Sequence, residues 1–263
     1  MLCQSWMPEL NARKLPMPII ATDGSSLGTP TEEGKRRAVG HGGWAAVVIF
    51  EDDHPIAPGF TQELIGGKRA TTTGEVEVLG FLNALMAVQA YRLALEADPE
   101  NAIITERDRF EIICDSQYVV KSYTEHLSKW IKAKWRKATR GSIAHQVLWQ
   151  EIADLRDEIG NYVTVTHQKG HTKKASDETV DELVEANDMA DRAAGIVSRS
   201  IRDTGFIPQP SPIVWRHIAK ASVDREADIQ KLRMMSERML QTHGYGALVD
   251  VFRQATHNTG ITE

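Results

Sequence analysis

Residues 18–25 read Pro-Ile-Ile-Ala-Thr-Asp-Gly-Ser. The apolar and β-branched run from Pro18 to Thr22 predicts a short buried strand, and Asp23-Gly24-Ser25 is a turn signal that ends it. A polar loop with Gly28, Pro30 and Gly34 follows, then two apolar runs, Gly43 to Phe50 and Gly59 to Ile65, separated by the turn-rich Glu51 to Pro58. These predict three strands joined as a meander. From Thr73 the period changes: Val76, Leu79, Leu82, Met86 and Ala90 recur every three to four residues, predicting a long amphipathic helix that stops at Asp98-Pro99.

Farther out, Phe110 to Cys114 is a fourth strand, and Asp115-Ser116 can cap a helix starting at Gln117. Ser122 to Arg140 reads as broken helix, Ile143 to Ile159 as an amphipathic helix stopped by Gly160, and Tyr162 to His167 as a fifth strand. One more long helix is expected before Arg202. Strands and helices in this order predict an α/β fold, a mixed sheet with helices packed on it.

The chain of 263 residues and 29.3 kDa can hold one large domain or a compact domain plus an extension. The pattern loosens beyond Gly205 at Pro208, Pro210 and Pro212, so the expected organisation is a lead at 1–17, a main domain at 18–205 and an extension at 206–263. Within the extension, Ile229, Leu232, Met235 and Met239 predict a helix from about Val223 to Gln241. It is too small to keep a core of its own and is expected to pack on the main domain or on a partner.

The longest purely apolar run, Trp44 to Phe50, is too short to cross a bilayer, so no membrane association is expected. Residues 1–10 lack a basic stretch followed by an apolar one, and two cysteines, Cys3 and Cys114, cannot make a disulfide framework. A cytoplasmic location follows as the expectation. The net charge of −5 argues against a nucleic-acid coat protein, but its distribution is uneven. Between Lys121 and Arg140 stand seven basic residues and one acidic residue, Glu125, with Trp130 and Trp135 interleaved.

Four acidic residues fall where strands end or helices begin: Asp23, Glu77, Asp115 and an aspartate early in the last helix. Singly, each reads as a turn, capping or solvated residue. Together, converging carboxylates would repel one another unless cations bind between them, and an oxygen-only set suits Mg²⁺ or Mn²⁺ better than zinc.

The runs Thr22-Asp23-Gly24-Ser25, Thr71-Thr72-Thr73-Gly74-Glu75-Val76-Glu77, Cys114-Asp115-Ser116-Gln117-Tyr118-Val119, Lys169-Gly170-His171-Thr172 and Asn187-Asp188-Met189-Ala190-Asp191 resemble, in order, the motifs of type 1 ribonuclease H. The likeness covers roughly Pro18 to Gly205. It implies the ribonuclease H-like fold, with three antiparallel strands followed by two parallel ones. The implied activity is endonucleolytic hydrolysis of the RNA strand of RNA–DNA hybrids, leaving 5′-phosphate and 3′-hydroxyl ends. Asp23, Glu77, Asp115 and Asp191 would hold two Mg²⁺ ions about 4 Å apart, with Mn²⁺ able to substitute. One ion would activate water and the other stabilise the leaving 3′ oxygen. His171 would assist proton transfer or product release.

The fourth carboxylate has two candidates. Asp181 matches the family's spacing after His171 without a gap; Asp191 needs a loop about ten residues longer but brings Asn187, Ala190, Ala193 and Ala194 at suitable offsets. Ten helical residues span about 15 Å, so only one can serve. Asp191 is preferred because a loop absorbs an insertion more easily than a packed helix.

The same resemblance implies substrate contacts at Gly24, Ser25, Thr72, Thr73, Ser116 and Gln117. Thr72 suits a DNA phosphate and Gln117 the minor groove, whereas Thr73 and Gly74 stand where the family carries asparagines. The basic segment, through Lys129, Trp130, Lys132, Lys134 and Trp135, resembles a protrusion that presses on the DNA strand; Trp149 is assigned to the core. A monomer is expected, with the extension able to take a partner. Two other readings stand beside the nuclease: a hybrid-binding module without catalysis, and a related nuclease acting on DNA.

Overall fold

The computed structural model describes residues 17–30, 36–52, 54, 59–96, 109–136, 141–168 and 182–208. The lead up to Pro16 and the extension beyond Pro208 lie outside the described residues, as does the expected helix at Val223 to Gln241. Five strands, β1 (Ile19–Pro30), β2 (Arg36–Ile49), β3 (Thr61–Thr71), β4 (Phe110–Cys114) and β5 (Val163–His167), form one sheet in the order β3-β2-β1-β4-β5. The first three are antiparallel, and β4 and β5 run parallel to β1. This is the mixed sheet the sequence predicts.

The first strand departs from expectation. It does not stop at Asp23-Gly24-Ser25 but continues to Pro30, because β2 pairs with it without a break from Ile19↔Ile49 to Gly28↔Gly40. A local turn signal is overridden by a partner strand, and Asp23 lies within the sheet opposite Ala45. β2 starts earlier than Gly43 for the same reason, and β3 runs past Ile65 to Thr71.

Helix α1 (Thr73–Glu96) follows at the expected place but is not one-sided. Val76, Val78, Leu79, Phe81, Leu82, Leu85, Val88 and Tyr91 are all buried, because α1 lies between the sheet and helix α4 (Gln146–Ile159). Its interior position makes it the centre of the main core, where truncating a residue such as Phe81 costs about 3–5 kcal/mol.

After β4 come α2 (Gln117–Lys121), a π-helical turn (Ser122–His126) and α3 (Leu127–Lys132), the broken helix expected there. Lys134 and Trp135 then take left-handed backbone angles, and the Trp135 N–H returns to the Trp130 carbonyl. Helix α5 (Glu182–Thr204) closes the described fold on the opposite face of the sheet.

Alternation along the strands assigns each side chain a face. Ile20, Ala46, Val48 and Ile112 face α1, and Ile19, Ala21, Val47, Ile49 and Ile113 face α5 through Ala186, Met189 and Ala190. Both helices sit flush where the sheet has glycine. A Cβ on Gly24 would lie 2.3 Å from the Glu77 nitrogen, and one on Gly43 would lie 2.5 Å from the Ala194 carbonyl. These two contacts bring α1 and α5 down on either side of Asp23.

Candidate active site

Asp23 is the buried member of the carboxylate group, 7% exposed, with its Oδ1 accepting the Gly24 N–H at 2.6 Å. Its strand position turns it toward α5, where Asp191 hydrogen-bonds to it. Asp115 follows the last residue of β4, beside β1, and its charge acts on Asp23. Burial first, then Asp115, then Asp191 push the Asp23 carboxyl up to about 7 against an ordinary 3.8, and the Gly24 N–H offsets only part of this. Asp23 therefore loses its proton far less readily than an ordinary aspartate.

Glu77, in the second turn of α1, reaches the group from the other face because Gly24 admits the helix. Burial raises its carboxyl above the usual range, Asp115 adds to this, and the Ser116 hydroxyl opposes it by donating to Glu77 Oε2 at 2.7 Å. The same hydroxyl accepts the Val119 N–H at 3.4 Å as the N-cap of α2. Ser116 therefore ties the start of α2 to α1 across the end of β4.

Asp191 sits in the third turn of α5 rather than early in it, since the helix begins at Glu182. Glu182 is about 14 Å from Asp191 along the axis. Asp181 and His171 both lie outside the described residues.

The donor set is four carboxyl groups with no imidazole or thiolate among them, which fits a hard divalent cation. Among the described residues, no three His, Cys, Asp or Glu side chains are already gathered as a ready-made cage. The carboxyls are instead linked pairwise, Asp23 to Asp191, Asp23 to Asp115 and Asp115 to Glu77. The raised Asp23 carboxyl reflects burial and repulsion that a bound cation would relieve.

Several residues expected to meet substrate have internal partners. The Thr72 hydroxyl accepts the Glu75 N–H at 3.2 Å, capping α1, and Glu75 is itself bound by Thr71 at 2.8 Å and Lys68 at 2.5 Å. Ser25 accepts from Ser198 at 3.4 Å, and Gly24 is buried under α1. Thr73 and Gln117 are exposed, each the first residue of a helix.

On the basic segment, Lys121, Lys129, Lys132 and Lys134 are exposed. Trp130 and Trp135 are half-buried and pack on the core, with ring centroids 6.5 Å apart and Trp130 5.7 Å from the fully buried Trp149. The rings anchor the segment while the lysines project from it. Lys137 and Arg140 lie outside the described residues.

The sequence reading gave no site role to His167, the last residue of β5, whose Nε2 lies 3.0 Å from the Asp115 carbonyl oxygen. Only the parallel pairing of Cys114 with His167 reveals that proximity. His145, which no sequence motif marks, precedes α4 in a left-handed conformation and stacks edge-on against Tyr118.

Comparison with known proteins agrees with this architecture. The RNase H family profile matches residues 17–197. A protein named Ribonuclease H from Solibacter usitatus is 30% identical over 183 residues, 69% of this chain and 97% of the relative. Ribonuclease HI of Xylella fastidiosa is 27% identical, covering 65% of this chain and 92% of its own. Among solved structures, the solution structure of the PFV RNase H domain superposes with a TM-score of 0.51 at 19% identity, over 69% of this chain and 94% of that domain. The chain belongs to the RNase H family, type 1.

Proposed function

We propose that the chain hydrolyses the RNA strand of RNA–DNA hybrids at the carboxylate group built around Asp23, leaving 5′-phosphate and 3′-hydroxyl ends. The observation that carries this reading is the meeting of Asp23, Asp191 and Asp115, brought from three separate elements to one largely buried point beside the sheet. Such an arrangement stores repulsion that a divalent cation would relieve.

Asp23, Asp115, Asp191 and Glu77 would hold Mg²⁺, or Mn²⁺ in its place. When bound, two such ions supply an activated water and charge stabilisation at the leaving 3′ oxygen. The chain's own residues do the rest. Asp23 gives up its proton as the cation enters. Ser116 keeps Glu77 oriented through the 2.7 Å bond. Gln117 and Thr73, both exposed, face the sugar edge of the hybrid, where 2′-hydroxyls mark RNA. Lys129, Lys132 and Lys134 neutralise phosphates of the DNA strand, held out by the packed Trp130 and Trp135. His171 serves proton transfer or product release.

The test is incubation of an end-labelled hybrid with Mg²⁺, followed by analysis of both strands and of the product ends. Cutting confined to the RNA strand, with 5′-phosphate ends and no cutting in EDTA, is expected. Binding without cleavage, or cleavage of duplex DNA that contains no RNA, would overturn the proposal.

A further inference from the structure

We propose that His167 is a positioning residue for the carboxylate group, holding the Asp115 backbone so that its carboxylate meets a divalent cation in a fixed orientation. The parallel ladder between β4 and β5 ends at the pair Cys114↔His167. Just beyond it, two successive carbonyls of the β4 end are taken by the end of β5. The Gln168 N–H donates to the Cys114 carbonyl at 3.0 Å, and His167 Nε2 lies 3.0 Å from the Asp115 carbonyl. A carbonyl oxygen only accepts, so Nε2 carries the hydrogen.

The next residue is held by a different element, α1, where the Ser116 hydroxyl donates to Glu77 at 2.7 Å. Asp115 thus lies between two braces, one from β5 and one from α1. Without the ring, the peptide after Asp115 would leave the regular ladder with one fewer restraint, and rotation there would swing the carboxylate relative to Asp23. Groups that orient metal ligands from behind typically change metal affinity or activity 10–100-fold when removed. The proposal rests on the reading of Asp115 as a cation ligand.

The experiment measures Mg²⁺ binding to the full chain by calorimetry without substrate, and Mg²⁺-dependent cleavage alongside it, for wild type, His167→Phe and His167→Gln. Phenylalanine keeps a ring but has no donor; glutamine keeps an N–H at similar reach. The Phe variant is expected to bind Mg²⁺ about 10-fold more weakly, with little change in KM for the hybrid, and the Gln variant to stay within about 3-fold of wild type. Wild-type affinity in the Phe variant, or a Gln variant as weak as Phe, would overturn the proposal. If the Phe variant does not fold, the folded Gln variant decides: near wild-type binding supports the role and weak binding overturns it. Absence of Mg²⁺ binding and of cleavage in the wild type itself would instead overturn the reading of the site.

Discussion

Asp23 on β1 and Asp191 on α5 bring their carboxyl groups together, with a third carboxylate, Asp115, acting on the same site. Because Asp23 titrates at about 7 in the folded chain and an ordinary aspartate at 3.8, the folded state keeps a proton that the unfolded state has lost between those values. The sign follows: the contribution of this group to stability falls as pH rises from about 4 to about 7. In EDTA the melting temperature should fall over that range by more than in Asp23→Asn. Mg²⁺ should raise the wild-type melting temperature more at pH 8 than at pH 5, because at low pH the cation competes with the proton. Equal Mg²⁺ shifts at both pH values would count against the linkage.

Ser116→Ala removes both the cap of α2 and the donor to Glu77. The cap is worth about 1 kcal/mol of stability. With its hydrogen-bond donor gone, the Glu77 carboxyl moves further up, so the acid limb of the pH–rate profile should move to higher pH. Activity at pH 6.5 is expected to drop more than at pH 8.5, read from initial rates on a labelled hybrid.

Gly24→Ala places a Cβ 2.3 Å from the Glu77 nitrogen and 2.6 Å from the Val76 carbonyl carbon. Both are backbone atoms, so α1 must shift away from β1. A loss of at least about 2 kcal/mol in denaturant unfolding is expected, together with loss of cleavage as Asp23 and Glu77 separate.

How much of this was legible in the sequence varied with the range of the interactions. β4 and the Ser116 cap of α2 follow from local pattern and appear where expected. The extent of β1 does not, because Asp23-Gly24-Ser25 is a turn signal that only the pairing with β2 overrides. The enclosure of α1 was likewise hidden: its apolar residues surround the helix because α4 covers the side away from the sheet. The motifs and the family resemblance they carry pointed to Asp23, Glu77 and Asp115, and to Asp191 in preference to Asp181, whereas the bonds joining Ser116 to Glu77 and His167 to Asp115 depend on strand register and helix approach. No local signal carries that information.

The exposed lysines give a prediction of another kind. Replacing Lys129, Lys132 and Lys134 with alanine should raise KM for the hybrid and leave kcat nearly unchanged. The dependence of log binding on log salt should flatten by about one unit per lysine that contacts a phosphate. An unchanged salt slope would remove these residues from the substrate contact.

The most direct measurement compares cleavage of an end-labelled RNA–DNA hybrid in Mg²⁺ by Asp191→Asn and Asp181→Asn, with melting curves to show that both fold. Asp191→Asn is expected to lose at least about 100-fold in rate, the scale on which removing a group from a catalytic site is felt, while Asp181→Asn cuts the RNA strand like the wild type. Full activity in Asp191→Asn, or loss of activity only in Asp181→Asn, would contradict the assignment of Asp191.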